Sequence, residues 1–264
     1  MSNYRLTIQY DGTRYHGWQK QKNGSDTIQG KIETVLARLA GSRIDLQGAG
    51  RTDAGVHARA QIANFHLTQA QSENLLAQYG ESSSACGESV SNAIFRALNA
   101  YLPEDIRILK AEPAGERFHS RLNAVGKVYE YHIVKKDCYE VFDRKYSWHL
   151  DEEICVEAME QAAAFLIGRH DFRAFCSKSS KKKSTVREMW EIDIRETQSS
   201  IFLRFSGNGF LYNMVRIITG TLVEVGLGKR RPESVQGILE NGSRAEAGAV
   251  APAKGLILCE VKYM

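Results

Sequence analysis

Gly50-Arg51-Thr52-Asp53-Ala54-Gly55-Val56-His57-Ala58 holds a single carboxylate between two glycines, with an arginine two residues before it and a histidine four residues after. The glycines permit tight turns and close approach of a ligand, and Arg51 brings a planar cation suited to a phosphate or a base face. Asp53 therefore reads either as a reagent in a constrained loop or as the carboxylate of an Asx-type turn with glycine hinges. The flanking sequence sets the fold around it. Upstream, Tyr4, Leu6, Ile8 and Tyr10 alternate with Arg5, Thr7 and Gln9, the period-two pattern of a half-buried strand, and Asp11-Gly12 turns the chain. Asp26-Thr27-Ile28-Gln29 then opens a capped helix whose Ile28, Ile32, Val35, Leu36 and Leu39 form one apolar stripe before Gly41. Downstream, Ile62, Ala63, Phe65 and Leu67 read as another strand, so the acid is expected at a strand edge facing a cleft.

The same grammar recurs in a second half, giving domains at 1–115 and 116–264. Val125 to Val134 reads as a strand with Tyr129, Tyr131 and Ile133 on one face. Asp151-Glu152-Glu153 leads into a helix through Ile154, Ala158, Ala162, Phe165 and Leu166, acids at its dipole-positive end. Strands are expected at Ile201 to Phe205 and Leu256 to Val261, with an apolar helix from Phe210 to Gly226 between them. Strand pairs with intervening helices indicate an α+β protein, its helices on one side of a sheet, and there is no Rossmann or P-loop glycine pattern.

Composition bounds the function classes. With 264 residues, 43% hydrophobic and 25% charged, the chain can bury a substantial core. No apolar run reaches membrane-helix length, and the strand pattern begins at once without an apolar leader, so a cytoplasmic protein is expected. Five widely spaced cysteines, Cys86, Cys138, Cys155, Cys176 and Cys259, indicate neither a disulfide framework nor a zinc site. The net charge of +4 permits a polyanionic partner without demanding one. Arg216 is the one cation inside the apolar Tyr212-to-Gly220 stretch. Either it reaches solvent along its own stem, or it answers an anion, with Asp53 across a cleft between the halves as the candidate it would keep ionised.

Tyr10-Asp11-Gly12-Thr13-Arg14-Tyr15-His16-Gly17-Trp18-Gln19, the Gly50-to-Ala58 loop, Lys127-Val128-Tyr129-Glu130-Tyr131, His170-Asp171-Phe172, Phe210-Leu211-Tyr212-Asn213-Met214-Val215-Arg216 and Ala251-Pro252-Ala253-Lys254-Gly255-Leu256 stand in one order along the chain. In these motifs, over nearly its whole length, the sequence resembles the tRNA pseudouridine synthase A family. That resemblance implies two α/β halves sharing a mixed, largely antiparallel sheet with helices on one side and a central basic cleft. It also implies a homodimer, tRNA as partner, and no cofactor or metal. The implied targets are uridines 38, 39 and 40 of the anticodon stem-loop. Matched residue by residue, Asp53 is the essential aspartate, Arg51 the arginine that helps evict the target base, Tyr129 the tyrosine against the flipped uracil, Arg216 the basic partner of the acid, and Leu256 an apolar residue of the base pocket. Without the resemblance, Tyr129 and Leu256 read as packing residues, and Tyr131 competes with Tyr129 on the same face. The acid could attack ribose C1′, attack uracil C6, or act as a base to form a glycal; all three routes need it ionised.

Phosphate contacts are expected from Arg14, Lys20, Lys22, Arg59, Arg117, His119, Arg121, Lys127 and Lys181-Lys182-Lys183, although a lysine run also reads as a solvated loop. Trp18 is a stacking candidate or a structural residue, and His57 and His119 could touch ribose or phosphate. Around Ser72 to Leu102 the chain departs from the usual pattern, with a polar Gly80-to-Glu88 insertion ahead of a helix carrying Ile94, Leu98 and Leu102. A synthase of this fold acting on other RNA positions therefore stays open. So do two rivals: a tRNA-binding or folding protein without catalysis, and a nucleoside hydrolase or glycosylase using the same acid.

Overall fold

The computed structural model describes residues 1–21, 26–80, 89–177 and 184–264. The chain divides into two compact units, Met1–Ala124 with Tyr263–Met264, and Val125–Lys262.

In the first unit, β1 (Ser2–Tyr10), β3 (His57–Leu67) and β4 (Ile106–Ala114) run antiparallel in the order β4-β1-β3, and the short β2 (Gln47–Gly48) pairs with β3. Tyr4 lies opposite Phe65 and Leu6 opposite Ala63, so the alternating residues of both strands bury together. Helix α1 (Ile28–Ala40) starts where Thr27 accepts the Gly30 N–H and stops at Gly41 in the left-handed region, φ 70°. Its buried face differs from the apolar stripe in one respect. Val35 is half-exposed, while Gln29 and Glu33 are buried. The reason is polar: Gln29 Nε2 donates to Leu46 O at 2.9 Å and the Leu46 N–H donates to Glu33 at 3.2 Å, satisfying a backbone segment that lies along the helix.

Two further helices, α2 (Gln69–Tyr79) and α3 (Val90–Tyr101), pack against one another and against α1. The stretch from Ser72 that departs from the usual pattern is thus helical as far as Tyr79, ahead of the expected Gly80-to-Glu88 insertion. A reciprocal Thr68/Gln71 capping box explains this, with bonds of 3.2 and 2.7 Å that an acidic residue was not needed to supply. Ile94 and Leu98 are buried in α3, and Leu102 falls just past its end. Residues 81–88 lie outside the described residues, as does Cys86.

In the second unit, β5 (Ala124–Val134), β7 (Gly168–Asp171), β8 (Val186–Glu196), β9 (Ser200–Gly207) and β10 (Leu256–Tyr263) follow the order β10-β5-β9-β8-β7, and β6 (Trp148–His149) joins β5 in parallel. β5/β9, β8/β9 and β7/β8 are antiparallel. Helix α4 (Val156–Ala164) begins later than its acids suggested, because the Cys155 N–H is taken by Gly226 O at 2.9 Å; Glu157, not Asp151 to Glu153, is the acid of its first turn. Its buried stripe is Val156, Met159, Ala162 and Ala163. Helix α5 (Met214–Gly226) likewise starts after Phe210, since Asn213 takes φ 60° at its N-terminus. Gly220 lets the segment after Gly248 cross α5 in contact, a Cβ there falling 1.9 Å from Ala249 O. The small α6 (Ser234–Asn241) completes the unit.

Candidate active-site residues

In the first unit the Asp53 loop is tied down by backbone contacts from the Asp11-to-Gln19 segment. Trp18 N–H donates to Thr52 O at 3.1 Å, Gly55 N–H to Tyr15 O at 3.3 Å, and Val56 N–H closes a turn onto Asp53 O at 3.1 Å. Two glycines make the approach possible. A Cβ on Gly12 would lie 2.0 Å from Val56 O, and one on Gly17, which sits at φ 88°, would lie 2.6 Å from Thr52 O. Beneath the loop, Tyr10 OH and Thr52 Oγ1 are 2.8 Å apart and buried, and burial pushes the Tyr10 hydroxyl up to about 12. Asp53 itself is half-buried, and Arg51 beside it is exposed, its Nε donating to Gln19 Oε1 at 3.1 Å.

His57 is buried and its Nδ1 accepts the Gly12 N–H at 3.0 Å, so its ring proton belongs on Nε2. Asp11 Oδ1 lies 3.1 Å from the same nitrogen but takes its hydrogen bond from the Thr13 N–H at 2.9 Å. The histidine thereby helps to hold the loop from within the first unit. Trp18 is also buried, its ring against Gly48, where a Cβ would fall 2.4 Å from Nε1.

In the second unit Tyr129 is buried on β5 opposite Phe205, with its ring edge-on to Phe210 at 5.2 Å and 85°. Tyr131 is anchored differently: its hydroxyl donates to Pro252 O at 2.7 Å, Gly255 lies against its ring, and burial drives its ionisation far above the ordinary tyrosine range. Arg216 is half-buried. Its Nε donates to Ala251 O at 2.7 Å and one terminal nitrogen to Asn213 Oδ1 at 3.0 Å, while Asn213 Nδ2 donates onward to Ser177 Oγ at 3.0 Å. These neutral oxygens orient the guanidinium within its own unit. Leu256 is buried where β10 begins.

A family model described as tRNA pseudouridine synthase matches residues 6–123 and 162–264. The chain belongs to the tRNA pseudouridine synthase family. It is accordingly an enzyme, an isomerase that makes pseudouridine in RNA. Similar proteins include tRNA pseudouridine synthase A 2 of Bacillus cereus, 44% identical over 263 residues, and tRNA pseudouridine synthase A of a Bacillus species, 45% identical over 263 residues; each alignment spans 100% of both chains. A tRNA pseudouridine synthase A 2 of Clostridium tetani is 42% identical, covering 99% of this chain and 98% of its own. Among solved structures, a crystal structure of a Cbf5-Nop10-Gar1 complex is similar over 96% of this chain and 57% of that chain, at 11% identity and a TM-score of 0.35.

Among the described residues, the other anticipated substrate residues of this pseudouridine synthase are exposed or half-exposed. Arg14 is exposed and paired with Asp105 at 2.5 Å, which holds its pKa above the usual arginine value, and Asp105 also accepts the Tyr15 hydroxyl at 2.5 Å. Arg59, Arg117 and Arg121 are exposed and Lys127 is half-exposed. His119 is turned inward onto its own loop, its Nδ1 accepting the Arg121 N–H at 3.1 Å. Lys20 is paired with Glu33 at 3.0 Å. Lys22 and Lys181 to Lys183 lie outside the described residues. Sequence reasoning missed Gln19, Gln29 and Asn213 as site-supporting residues. Only Asn213 carried any readable signal, since asparagine tolerates the left-handed region better than most residues. Among the described residues no helix is long and apolar enough to cross a membrane, and no group of three or more His, Cys, Asp or Glu could hold a metal ion.

Proposed function

We propose that this synthase isomerises uridines 38, 39 and 40 in the anticodon stem-loop of tRNA, with Asp53 as its essential carboxylate. The observation that carries the reading is the pinned loop, in which a half-buried acid follows Arg51-Thr52 and is bounded by glycine-dependent backbone contacts. That loop stands in a chain similar from end to end to proteins named tRNA pseudouridine synthase A. The reaction breaks the C1′–N1 bond, keeps and turns the uracil, and forms C1′–C5; the C5 hydrogen leaves as a proton and N1 takes one up. Such a sequence needs a fixed, ionised carboxylate close to the reacting sugar and base.

Arg216 serves as the basic residue of the reaction, Tyr129 faces the uracil ring, and Leu256 lines the base pocket. Arg51 offsets part of the cost, a few kcal/mol, of taking the base out of its stack. Arg59, Arg121 and Arg14 contribute backbone phosphate contacts, Arg14 by exchanging its Asp105 pairing. The enzyme works in the cytoplasm as a homodimer.

Tritium release from transcripts labelled at uridine C5 tests the reading. The parent enzyme releases tritium, Asp53→Ala does not, and transcripts with replaced uridines 38 to 40 give none. Release from the replaced transcripts would sink the site assignment alone. An abasic product would indicate a hydrolase, and tRNA binding without release would indicate a binding or folding protein.

A further inference from the structure

A directional chain of side-chain hydrogen bonds runs from the core of the first unit to Arg51. It starts at Glu33, a buried carboxylate, which can only accept. Gln29 Nε2 donates to Glu33 Oε1 at 2.8 Å, so its amide orientation is fixed and its Oε1 faces outward. That oxygen accepts Gln19 Nε2 at 2.7 Å and the Lys20 N–H at 3.1 Å. Gln19 must then present Oε1 to the outside, and there it accepts Arg51 Nε at 3.1 Å. Lys20 Nζ closes the inner end on Glu33 at 3.0 Å, so the buried charge is paired. Each amide could flip in isolation, but the acceptor-only carboxylate at one end sets the direction of every bond in the row. The last bond uses the single N–H of Arg51 Nε and leaves the terminal nitrogens of the guanidinium outside the relay.

We propose that Gln19 is a positioning residue for Arg51, with its amide set by Gln29 and Glu33 so that an exposed arginine on the Asp53 loop is held in one direction before RNA arrives. An exposed arginine otherwise samples many rotamers and loses that freedom on binding. The inference rests on the reading of Arg51 as the residue that helps evict the target base.

The test is a double-mutant cycle on tritium release under single-turnover conditions, using Gln19→Ala, Arg51→Ala and the pair, with thermal unfolding of each. Gln19→Ala alone is expected to slow release by about five- to tenfold, the net effect of one ordinary hydrogen bond, and to add nothing in the Arg51→Ala background. Equal slowing in both backgrounds would make Gln19 a structural residue and overturn the proposal. Undiminished release by Arg51→Ala would overturn it by removing the arginine's own role. A turnover-independent readout separates the cases: the Arg51 Nε–H signal in nitrogen-edited spectra is expected to be slow-exchanging in the parent and fast in Gln19→Ala. Fast exchange in the parent would show that the relay does not hold Arg51 whatever the substrate.

Discussion

Gly17→Ala tests whether the Asp53 loop is held by contact rather than by its own turn. Gly17 sits at φ 88°, and an added Cβ would stand 2.6 Å from Thr52 O, 3.1 Å from Asp53 C and 3.2 Å from Ala54 N. Ordinary contact begins near 3.4 Å, so Thr52 O, just before Asp53, must retreat by roughly 0.8 Å and the backbone after it by roughly 0.2–0.3 Å. A left-handed alanine costs about 1 kcal/mol and overpacking against backbone about 1–3 kcal/mol more, so the variant should lose about 2–4 kcal/mol of stability. A displacement of this size beside a reacting group is enough to slow chemistry by about 10²-fold. Gly41→Ala is the matched control, because Gly41 has φ 70° with nothing within 4 Å of its Cβ. It should lose only about 1 kcal/mol and keep the parent rate. Urea unfolding and single-turnover tritium release measure the two quantities. If Gly17→Ala loses no more stability than Gly41→Ala, or releases tritium at the parent rate, the close approach does not position Asp53 and the argument fails.

Asn213→Gly keeps the left-handed start of α5 but deletes the bond to Arg216, whereas Asn213→Ala also strains φ 60°. Both should slow single-turnover release by about tenfold, and only the alanine should cost a further 1 kcal/mol or so in urea unfolding; a parental rate for Asn213→Gly would show that this bond does not serve Arg216. The Tyr10 hydroxyl titrates near 12 in the folded protein and near 10 when unfolded, so the folded state holds the extra proton over that interval. Stability from this group is complete below about pH 10 and declines as pH rises toward about 12, by up to about 3 kcal/mol. Tyr10→Phe should lose about 1 kcal/mol at neutral pH by stranding Thr52 Oγ1, and should show a shallower alkaline decline in urea unfolding between neutral pH and about pH 11. An unchanged alkaline slope would refute the assignment to Tyr10.

What could be read from the sequence followed the strength of local signals. β1, α1 and β5 declare themselves by period and by caps, since Thr27 and Gly41 mark their helix with residues suited to each end. β8 was missed because Val186-Arg187-Glu188-Met189-Trp190-Glu191 carries charge on half of its positions and buries little beyond Met189; its place is fixed by pairing with β9. The helix starts at Val156 and Met214 were misplaced for a similar reason. Gly226 O claims the Cys155 N–H from 71 positions away in sequence, and Asn213 adopts a conformation that only the folded neighbourhood selects. Gln29 and Glu33 stand outside the apolar stripe read for α1 and are buried because the Leu46 backbone returns along the helix.

The two tyrosines of β5 show where residue pattern stops and packing begins. Alternation puts Tyr129 and Tyr131 on one face and assigns them equal standing. Their surroundings separate them. Tyr131 spends its hydroxyl on Pro252 O and has Gly255 against its ring, so moving it would break a buried bond and open a gap where no Cβ fills the space. Tyr129 packs its ring edge-on to Phe210 in the segment that leads to Asn213 and Arg216. An edge-on contact of this kind fixes the plane of the ring. The same face thus carries one tyrosine tied through its hydroxyl to the backbone before Gly255 and one whose ring packs on the segment that leads into Arg216, a difference that alternation alone does not encode.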